Sequence, residues 1–191
     1  MSRRPVLALV ALGSNLGDRL GFLRAARDRV ALLPRTRLLA SSPVYETEPV
    51  HARARQPACA EPETVRDPPY LNAVLLCRTR LSPDDWSRRL HAIEDALGRV
   101  RTGIRDAPRT IDIDLLTYGS LRVHLPHLTL PHPEASLRRF VLQPLADIRP
   151  DLVLPGQTLP VSALLAALPD TPWVRPYARQ CAPLHRTWAH L

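Results

Sequence analysis

The sequence contains no lysine, so all 26 of its basic residues are arginines, against 18 acidic residues and a formal net charge of +8. This charge admits nucleic acid, a phosphorylated metabolite or an acidic surface as a partner. An arginine-rich coding bias would give the same total, so only the placement of individual arginines can indicate a function. Aromatic residues make up only 5% of the chain. Because RNA-binding sheets stack bases on aromatic side chains, no nucleic-acid partner is expected.

Cysteine and long apolar runs are also scarce. Cys59, Cys77 and Cys181 are far apart and odd in number, which predicts neither a disulfide framework nor a zinc site and favours a reducing cytoplasm. The apolar run after Arg3 and Arg4 meets GSNLGDR instead of a cleavage site, so it is interpreted as a buried first strand. No apolar run approaches the ~18 residues that cross a membrane, and no membrane partner is expected.

The usual phosphate-binding motifs are missing. There is no GxxxxGK[ST] loop and no kinase-type glycine-rich loop, and the stretch GSNLG at 13–17 lacks the GxGxxG spacing. Any ATP chemistry must therefore depend on arginines and metal.

The predicted elements follow the order strand–helix–strand–strand–helix–strand. Strands are predicted over 6–12, 36–46, 70–81 and 110–118, with helices over 18–33 and from 83 to about 98, where Ser82 is the expected N-cap. This order predicts an α+β, ferredoxin-like βαββαβ fold, an antiparallel sheet with helices on one face. A C-terminal hairpin near 123–130 and helices over 137–148 and 162–168 are expected in addition. We predict one domain over 1–170 with a long loop at 51–69, and an irregular tail over 171–191.

The stretch RVRTGIRDAPRTIDIDLLTYG, at 99–119, combines arginines with two carboxylates in an apolar strand. Because side chains alternate along a strand, Asp112 and Asp114 point to the same face, ~6.5–7 Å apart. Two like charges there require positive compensation. One alternative is that they share magnesium ions, which take carboxylate oxygens together with substrate phosphates. The other is that they form ion pairs with Arg105 and Arg109.

Arginine binds phosphate well because its planar fork donates bidentate, charge-assisted hydrogen bonds. Arg99 and Arg101 follow a predicted helix, and Arg105 and Arg109 lie in the loop before the diacid strand. Arginines beside a diacid strand are what a complex of metal and polyphosphate needs.

Several segments, in order, resemble the 6-hydroxymethyl-7,8-dihydropterin pyrophosphokinase family of folate biosynthesis. They are ALGSNLGDR (11–19), SSPVYETEP (41–49), PYLNAV (69–74), IEDALGRVR (93–101), APRTIDIDLL (107–116) and LTLPHPEASLRRFVLQPLADI (128–148). The PRTxDxDxL piece beside GRxR is the most specific of them.

The resemblance implies a cytoplasmic enzyme, expected to be monomeric, that transfers the β,γ-pyrophosphate of ATP to the pterin hydroxymethyl group and releases AMP. It implies that Asp112 and Asp114 bind two Mg²⁺ and that Arg99, Arg105 and Arg109 act in catalysis. The implied ATP-binding residues are Glu94, Arg99, Arg101, Arg109, Thr129, His132 and Arg138. The implied pterin-binding residues are Thr47, Pro49, Tyr70, Asn72 and Phe140. Asp106 departs from the family, which often carries tryptophan there, so a member that has become a structural or regulatory partner is the alternative.

Overall fold

The computed structural model describes residues 4–49, 68–101 and 107–177. Its strands are β1 (Val6–Ser14), β2 (Thr36–Ser41), β3 (Tyr45–Thr47), β4 (Tyr70–Thr79), β5 (Asp112–Tyr118), β6 (Val123–Leu125), β7 (Leu128–Leu130) and β8 (Val174–Pro176). Its helices are α1 (Arg19–Ala31), α2 (Pro83–Ala96), α3 (Arg139–Ile148) and α4 (Val161–Ala167). Residues 51–67 of the loop predicted at 51–69, Arg105, Asp106 and the last 14 residues lie outside the described residues.

The main sheet is antiparallel, with β1 and β4 at its centre. The strand order is β5-β1-β4-β3-β8, and β2 also pairs with β4. In the register, Gly13 of β1 lies opposite Asn72 of β4 on one side and opposite Asp112 of β5 on the other. Directly opposed residues share a face of a sheet, so these three positions form one row across three strands.

Both faces of the sheet are covered. Alternate β1 residues such as Val10 and Leu12 pack with α1 and α2, whereas Leu9 packs with α3 and α4 on the opposite face. A strand buried on both faces is continuously apolar, which explains why the sequence of β1 shows no alternation. The two helices of the predicted βαββαβ unit share one face, and the additional C-terminal helices cover the other.

The first turns of α1 and α2 are capped by side chains that precede each helix. The Ser82 hydroxyl accepts a hydrogen bond from the backbone N–H of Asp85 at 3.1 Å, and Pro83 occupies the first turn, so the predicted N-cap of α2 is confirmed. The Asp18 carboxylate caps α1 in the same way, through the N–H of Gly21 at 3.0 Å. Within the described ranges, no helix is long and apolar enough to cross a membrane.

Two elements differ from the sequence-based expectation. The strand predicted over 36–46 is divided into β2 and β3, with Pro43 between them. At this break the Ser42 hydroxyl accepts a hydrogen bond from the N–H of Val74 at 2.9 Å, in place of a regular strand contact. The tail predicted to be irregular contains β8, which pairs with β3. A strand of three residues has no detectable period, so only its pairing partner defines it.

Candidate active site

One cavity of about 450 Å³ lies at the end of β1, on the face of the sheet that α3 covers. It is lined by Ala11, Leu12, Gly13, Thr47, Glu48, Tyr70, Asn72, Arg99, Arg109, Asp112, Asp114, His132, Pro133, Glu134, Arg138 and Phe140. Ten of these residues are ones that the sequence singles out. The fold thus brings together side chains from β3, β4, β5, the chain after α2 and the start of α3.

Gly13 forms the floor of the cavity. On one side of it lies an aromatic half that contains Tyr70 and Asn72, and on the other lies a charged half that contains Asp112. A Cβ atom added to Gly13 would lie 3.1 Å from the Asn72 amide oxygen, 3.8 Å from the Asp112 Cβ and 3.9 Å from the Tyr70 ring. The first distance is shorter than ordinary van der Waals contact. The absence of a side chain at Gly13 therefore leaves room for Asn72 and Asp112 to approach each other across β1.

The two strand carboxylates are in different electrostatic situations. Arg99 donates to Asp112 Oδ1 at 2.5 Å, and Arg109 donates to Asp112 Oδ2 at 2.9 Å. Asp114 makes no hydrogen bond or ion pair within the described residues. Its burial, followed by repulsion from Asp112 and Glu94, raises the pKa of Asp114 to about 7. The ion-pair alternative therefore holds for Asp112 with Arg109. Arg105 lies outside the described residues, so its pairing with either carboxylate stays a prediction.

The donor atoms suit a hard cation. Two carboxylates enter one cavity from the same strand. The Asp114 carboxylate forms no direct ion pair within the described residues, although the charges of Arg138 and Arg99 act on it and oppose the rise in its pKa. No group of three or more potential metal-ligating side chains occurs in the described part of the chain. Magnesium does not need such a group, because it is usually held by one or two carboxylates with water and substrate phosphates.

Glu94 anchors the arginines from behind the cavity wall. Its side chain is 1% exposed, and it forms ion pairs with Arg99 and, at 2.8 Å, with Arg101. Its Oε1 also accepts a hydrogen bond from the N–H of Ile113 at 2.7 Å. Burial raises the pKa of Glu94, and the Ile113 N–H and the Arg99 guanidinium oppose that rise. Glu94, predicted to bind ATP, thus couples α2, the edge of β5 and two arginines without lining the cavity.

Asn15 holds the loop that carries Arg109. The backbone N–H of Arg109 donates to the Asn15 side-chain oxygen at 2.8 Å, and the N–H of Asn15 donates to the Arg109 carbonyl at 3.2 Å. Asn15 is not among the site residues predicted from the sequence. Its position directly after a buried strand, in a segment with turn-forming neighbours, is the signal that could have identified it.

The aromatic half of the cavity contains the predicted pterin-binding residues apart from Pro49. Tyr70, Asn72, Thr47 and Phe140 all line it, and the Asn72 amide nitrogen donates to the Thr47 hydroxyl at 2.7 Å. This bond fixes the orientation of the Asn72 amide. Glu48 also lines the cavity, although the sequence analysis does not propose it.

The remaining predicted nucleotide-binding residues are divided between the cavity and its surroundings. His132 and Arg138 line the cavity. Burial, together with the positive charge of Arg138, lowers the pKa of His132, so its imidazole is neutral at pH 7. Arg138 forms an ion pair with Glu134, and its guanidinium lies 5.4 Å from the centre of the Phe140 ring. Arg101 and Thr129 do not line the cavity.

The sequence is similar to those of known pyrophosphokinases. Residues 9–150 match the family described as 7,8-dihydro-6-hydroxymethylpterin-pyrophosphokinase (HPPK). A Pseudomonas aeruginosa protein named 2-amino-4-hydroxy-6-hydroxymethyldihydropteridine pyrophosphokinase is 44% identical over 161 residues, covering 84% of this chain and 90% of that protein. The protein of the same name from Methylorubrum extorquens is 40% identical over 152 residues, covering 80% of this chain and 88% of that protein.

Solved structures show a related fold. A crystal structure of Plasmodium falciparum HPPK-DHPS with pteroate superposes with a TM-score of 0.64 at 14% identity, covering 87% of this chain. The present chain spans 43% of that longer one.

Proposed function

Because the chain belongs to the 7,8-dihydro-6-hydroxymethylpterin-pyrophosphokinase family, we propose that it transfers the β,γ-pyrophosphate of ATP to the hydroxymethyl group of 6-hydroxymethyl-7,8-dihydropterin, releasing AMP. This reaction would place it in folate biosynthesis. The observation that carries the proposal is the composition of the cavity. Paired carboxylates and three arginines share one space with two aromatic rings and a fixed amide.

The aromatic half is suited to a flat heterocycle. Tyr70 and Phe140 supply ring faces for stacking. The Asn72 amide has one N–H engaged with Thr47, and it retains a second N–H and an oxygen lone pair for the edge of a pterin ring. We assign Pro49 to the margin of this half. The pterin would thus be held by stacking and oriented by Asn72.

The charged half is suited to a polyphosphate. Arg99, Arg109 and Arg138 present guanidinium groups to the cavity, and neutral His132 can donate one hydrogen bond without adding charge. We assign ATP-phosphate contacts to these residues. Arg101 and Arg105 would act at the rim, Thr129 near the nucleotide, and Glu94 would hold Arg99 and Arg101 in position.

We assign Asp112 and Asp114 as the ligands of two Mg²⁺. When bound, such ions would neutralise the phosphate charge that develops during transfer. Asp114 fits this role because, among the described residues, no cation pairs directly with its carboxyl, and Asp112 fits because its two oxygens already accept from cationic groups. Arg99 and Arg109, now bonded to Asp112, would then become available to the substrate phosphates.

The cavity favours direct transfer. Transfer of this kind needs no nucleophilic side chain, so a covalent enzyme intermediate is not proposed. The pterin hydroxyl would attack the β-phosphorus in line, forming its O–P bond as the bond to the α-phosphate oxygen breaks and losing its proton. Such transfer depends mainly on positioning and charge stabilisation, which the arginines, Asn72 and the aromatic pair supply.

We also propose that the sheet and the helices α1 and α2 follow the ferredoxin-like plan. The strand order β5-β1-β4-β2, with α1 and α2 as the connections, supports this proposal. A monomeric state, a cytoplasmic location and the domain boundary at about residue 170 stay predictions.

The experiment that tests the proposal measures AMP formed from ATP and Mg²⁺, with and without the pterin. We expect AMP only when the pterin is present, and none after EDTA is added. Asp112→Asn and Asp114→Asn should abolish turnover with the fold intact, whereas Asp151→Asn, at an exposed position, should not. AMP formation without pterin, or near-normal turnover by either cavity variant, would contradict the assignment.

A further inference from the structure

The pterin side of the cavity depends on a very short strand. Thr47 and Glu48 line the cavity, and they belong to or directly follow β3, which has only three residues. On one edge β3 pairs with β4, so that Thr47 lies opposite Tyr70. On its other edge it pairs with β8, so that Thr47 lies opposite Val174. A short strand has little stability of its own, so its position depends on these two neighbours.

Residues 173–177, which we call the C-terminal segment, bind both ends of β3. The N–H of Glu48 donates to the Trp173 carbonyl at 3.1 Å, and the N–H of Tyr177 donates to the Val44 carbonyl at 3.0 Å. Tyr177 also packs against the core on the α1 side of the sheet. The segment is therefore attached to the wall of the cavity and to the hydrophobic core at the same time.

A charged network lies directly behind this wall. Glu46 points to the face opposite Thr47 because neighbouring strand residues alternate. Its Oε2 accepts two hydrogen bonds from Arg175, at 2.7 and 3.2 Å. Its Oε1 accepts one from Arg19 at 3.2 Å, and the same Arg19 nitrogen lies 2.6 Å from the Pro69 carbonyl oxygen.

This network connects the segments that carry the pterin wall. Pro69 directly precedes Tyr70, Glu46 directly precedes Thr47, and Arg175 belongs to β8. The Arg175 guanidinium also lies 4.5 Å from the centre of the Trp173 ring, which restricts its orientation. Two guanidinium N–H groups of Arg175 share one oxygen of Glu46, and an aromatic ring orders the guanidinium further. Such a pair is better defined than a surface pair with a single contact.

We propose that the C-terminal segment positions the pterin-binding wall, with Arg175 acting through Glu46 as a positioning residue for Thr47, Glu48 and Tyr70. The family match ends at residue 150, so this segment lies outside the matched region. The inference rests on the proposed function, because it takes this half of the cavity to be the pterin site. It concerns pterin affinity, since the charged half of the cavity makes no contact with β8 among those described.

The experiment compares the full-length protein with Arg175→Gln. Pterin binding is titrated calorimetrically with Mg²⁺ and α,β-methylene-ATP, whose bridging carbon prevents transfer. Binding of this analogue is titrated separately. Arg88→Gln is the matched control, because Arg88 is a similarly exposed arginine that pairs with Asp85 on α2, away from the cavity. Arg175→Lys tests whether a charge alone restores the effect.

We expect Arg175→Gln to raise the pterin dissociation constant about three- to tenfold, with the analogue affinity and the Arg88→Gln values unchanged. The pterin KM should rise similarly at constant kcat, and Arg175→Lys should recover part of the loss. Amide exchange at Glu48 should become faster, since its N–H is bonded to the segment. Unchanged pterin binding, or equal losses for pterin and analogue, would overturn the positioning role alone. Failure of the unaltered protein to bind pterin would overturn the proposed function, and this inference with it.

Discussion

Asp114→Asn should stabilise the metal-free protein at about pH 8, even though the same change is expected to abolish turnover. The carboxyl of Asp114 is partly buried, and within the described residues it makes no hydrogen bond or ion pair. Asparagine has nearly the same shape and carries no charge. The substitution therefore removes an uncompensated charge without creating a cavity.

The sign of the pH dependence follows from the raised pKa. The pKa of Asp114 is about 7 in the folded protein, against 3.8 for an unperturbed aspartate. Between these values the folded state binds a proton that the unfolded state has lost, so stability falls as pH rises and levels off above about pH 7. A difference of about three pKa units corresponds to a loss of at most about 4 kcal/mol in the free energy of unfolding. Because water reaches the carboxyl through the cavity, we expect a smaller loss of about 1–3 kcal/mol.

The assay is thermal or urea unfolding in EDTA at about pH 5 and pH 8. The stability gain of the variant should be smaller at the lower pH, because much of the fall in the stability of the unaltered protein occurs between pH 5 and pH 7. At the higher pH the unfolding temperature of the variant should be several degrees higher, since the midpoint of a domain of this size shifts by about 2–4 °C per kcal/mol of stability. Asp151→Asn is the control, because hydrogen bonds from Arg149 lower the pKa of exposed Asp151, so its loss should bring no such gain. Parallel pH profiles for the unaltered protein and Asp114→Asn would refute the reasoning.

Two further substitutions test residues that hold the cavity side chains in position. Glu94→Gln keeps an acceptor for the Ile113 N–H and removes the buried charge facing Arg99 and Arg101. It should cost about 2–4 kcal/mol in urea unfolding and raise the KM for ATP; a loss below about 1 kcal/mol would contradict the anchoring role. Gly13→Ala places a Cβ 3.1 Å from the Asn72 oxygen, so pterin affinity should fall about tenfold or more in a binding titration. Unchanged pterin affinity would show that Asn72 adapts without cost.

Much of the site was predictable because the relevant patterns are local. Alternation along β5 predicts that Asp112 and Asp114 share a face, and both line the same cavity. Alternation does not predict that two arginines pair with Asp112 while, within the described ranges, none pairs with Asp114. That difference arises because Arg99 approaches from the end of α2 and Arg109 from a loop held by Asn15. Both approaches are set by packing.

The residues that sequence reasoning missed have roles defined by distant partners. Asn15 is identified by its bonds to Arg109, 94 positions away. Glu46 is identified by Arg175, 129 positions away. Polar residues in turns and short strands occur throughout the chain, and only their contacts distinguish these two. The division between β2 and β3 at Pro43 could have been anticipated, since proline has no N–H to donate within a sheet.

The sequence by itself determined the order of strands and helices, the N-cap of α2 and the strand that carries two carboxylates, because propensity, capping and periodicity act over a few residues. The tertiary structure decided that Tyr70 and Phe140 meet at one cavity, that α3 and α4 cover the second face of the sheet, and that β8 closes the edge of β3. These contacts join residues tens of positions apart. They form because apolar faces must be buried and strand edges paired, which only the whole fold achieves.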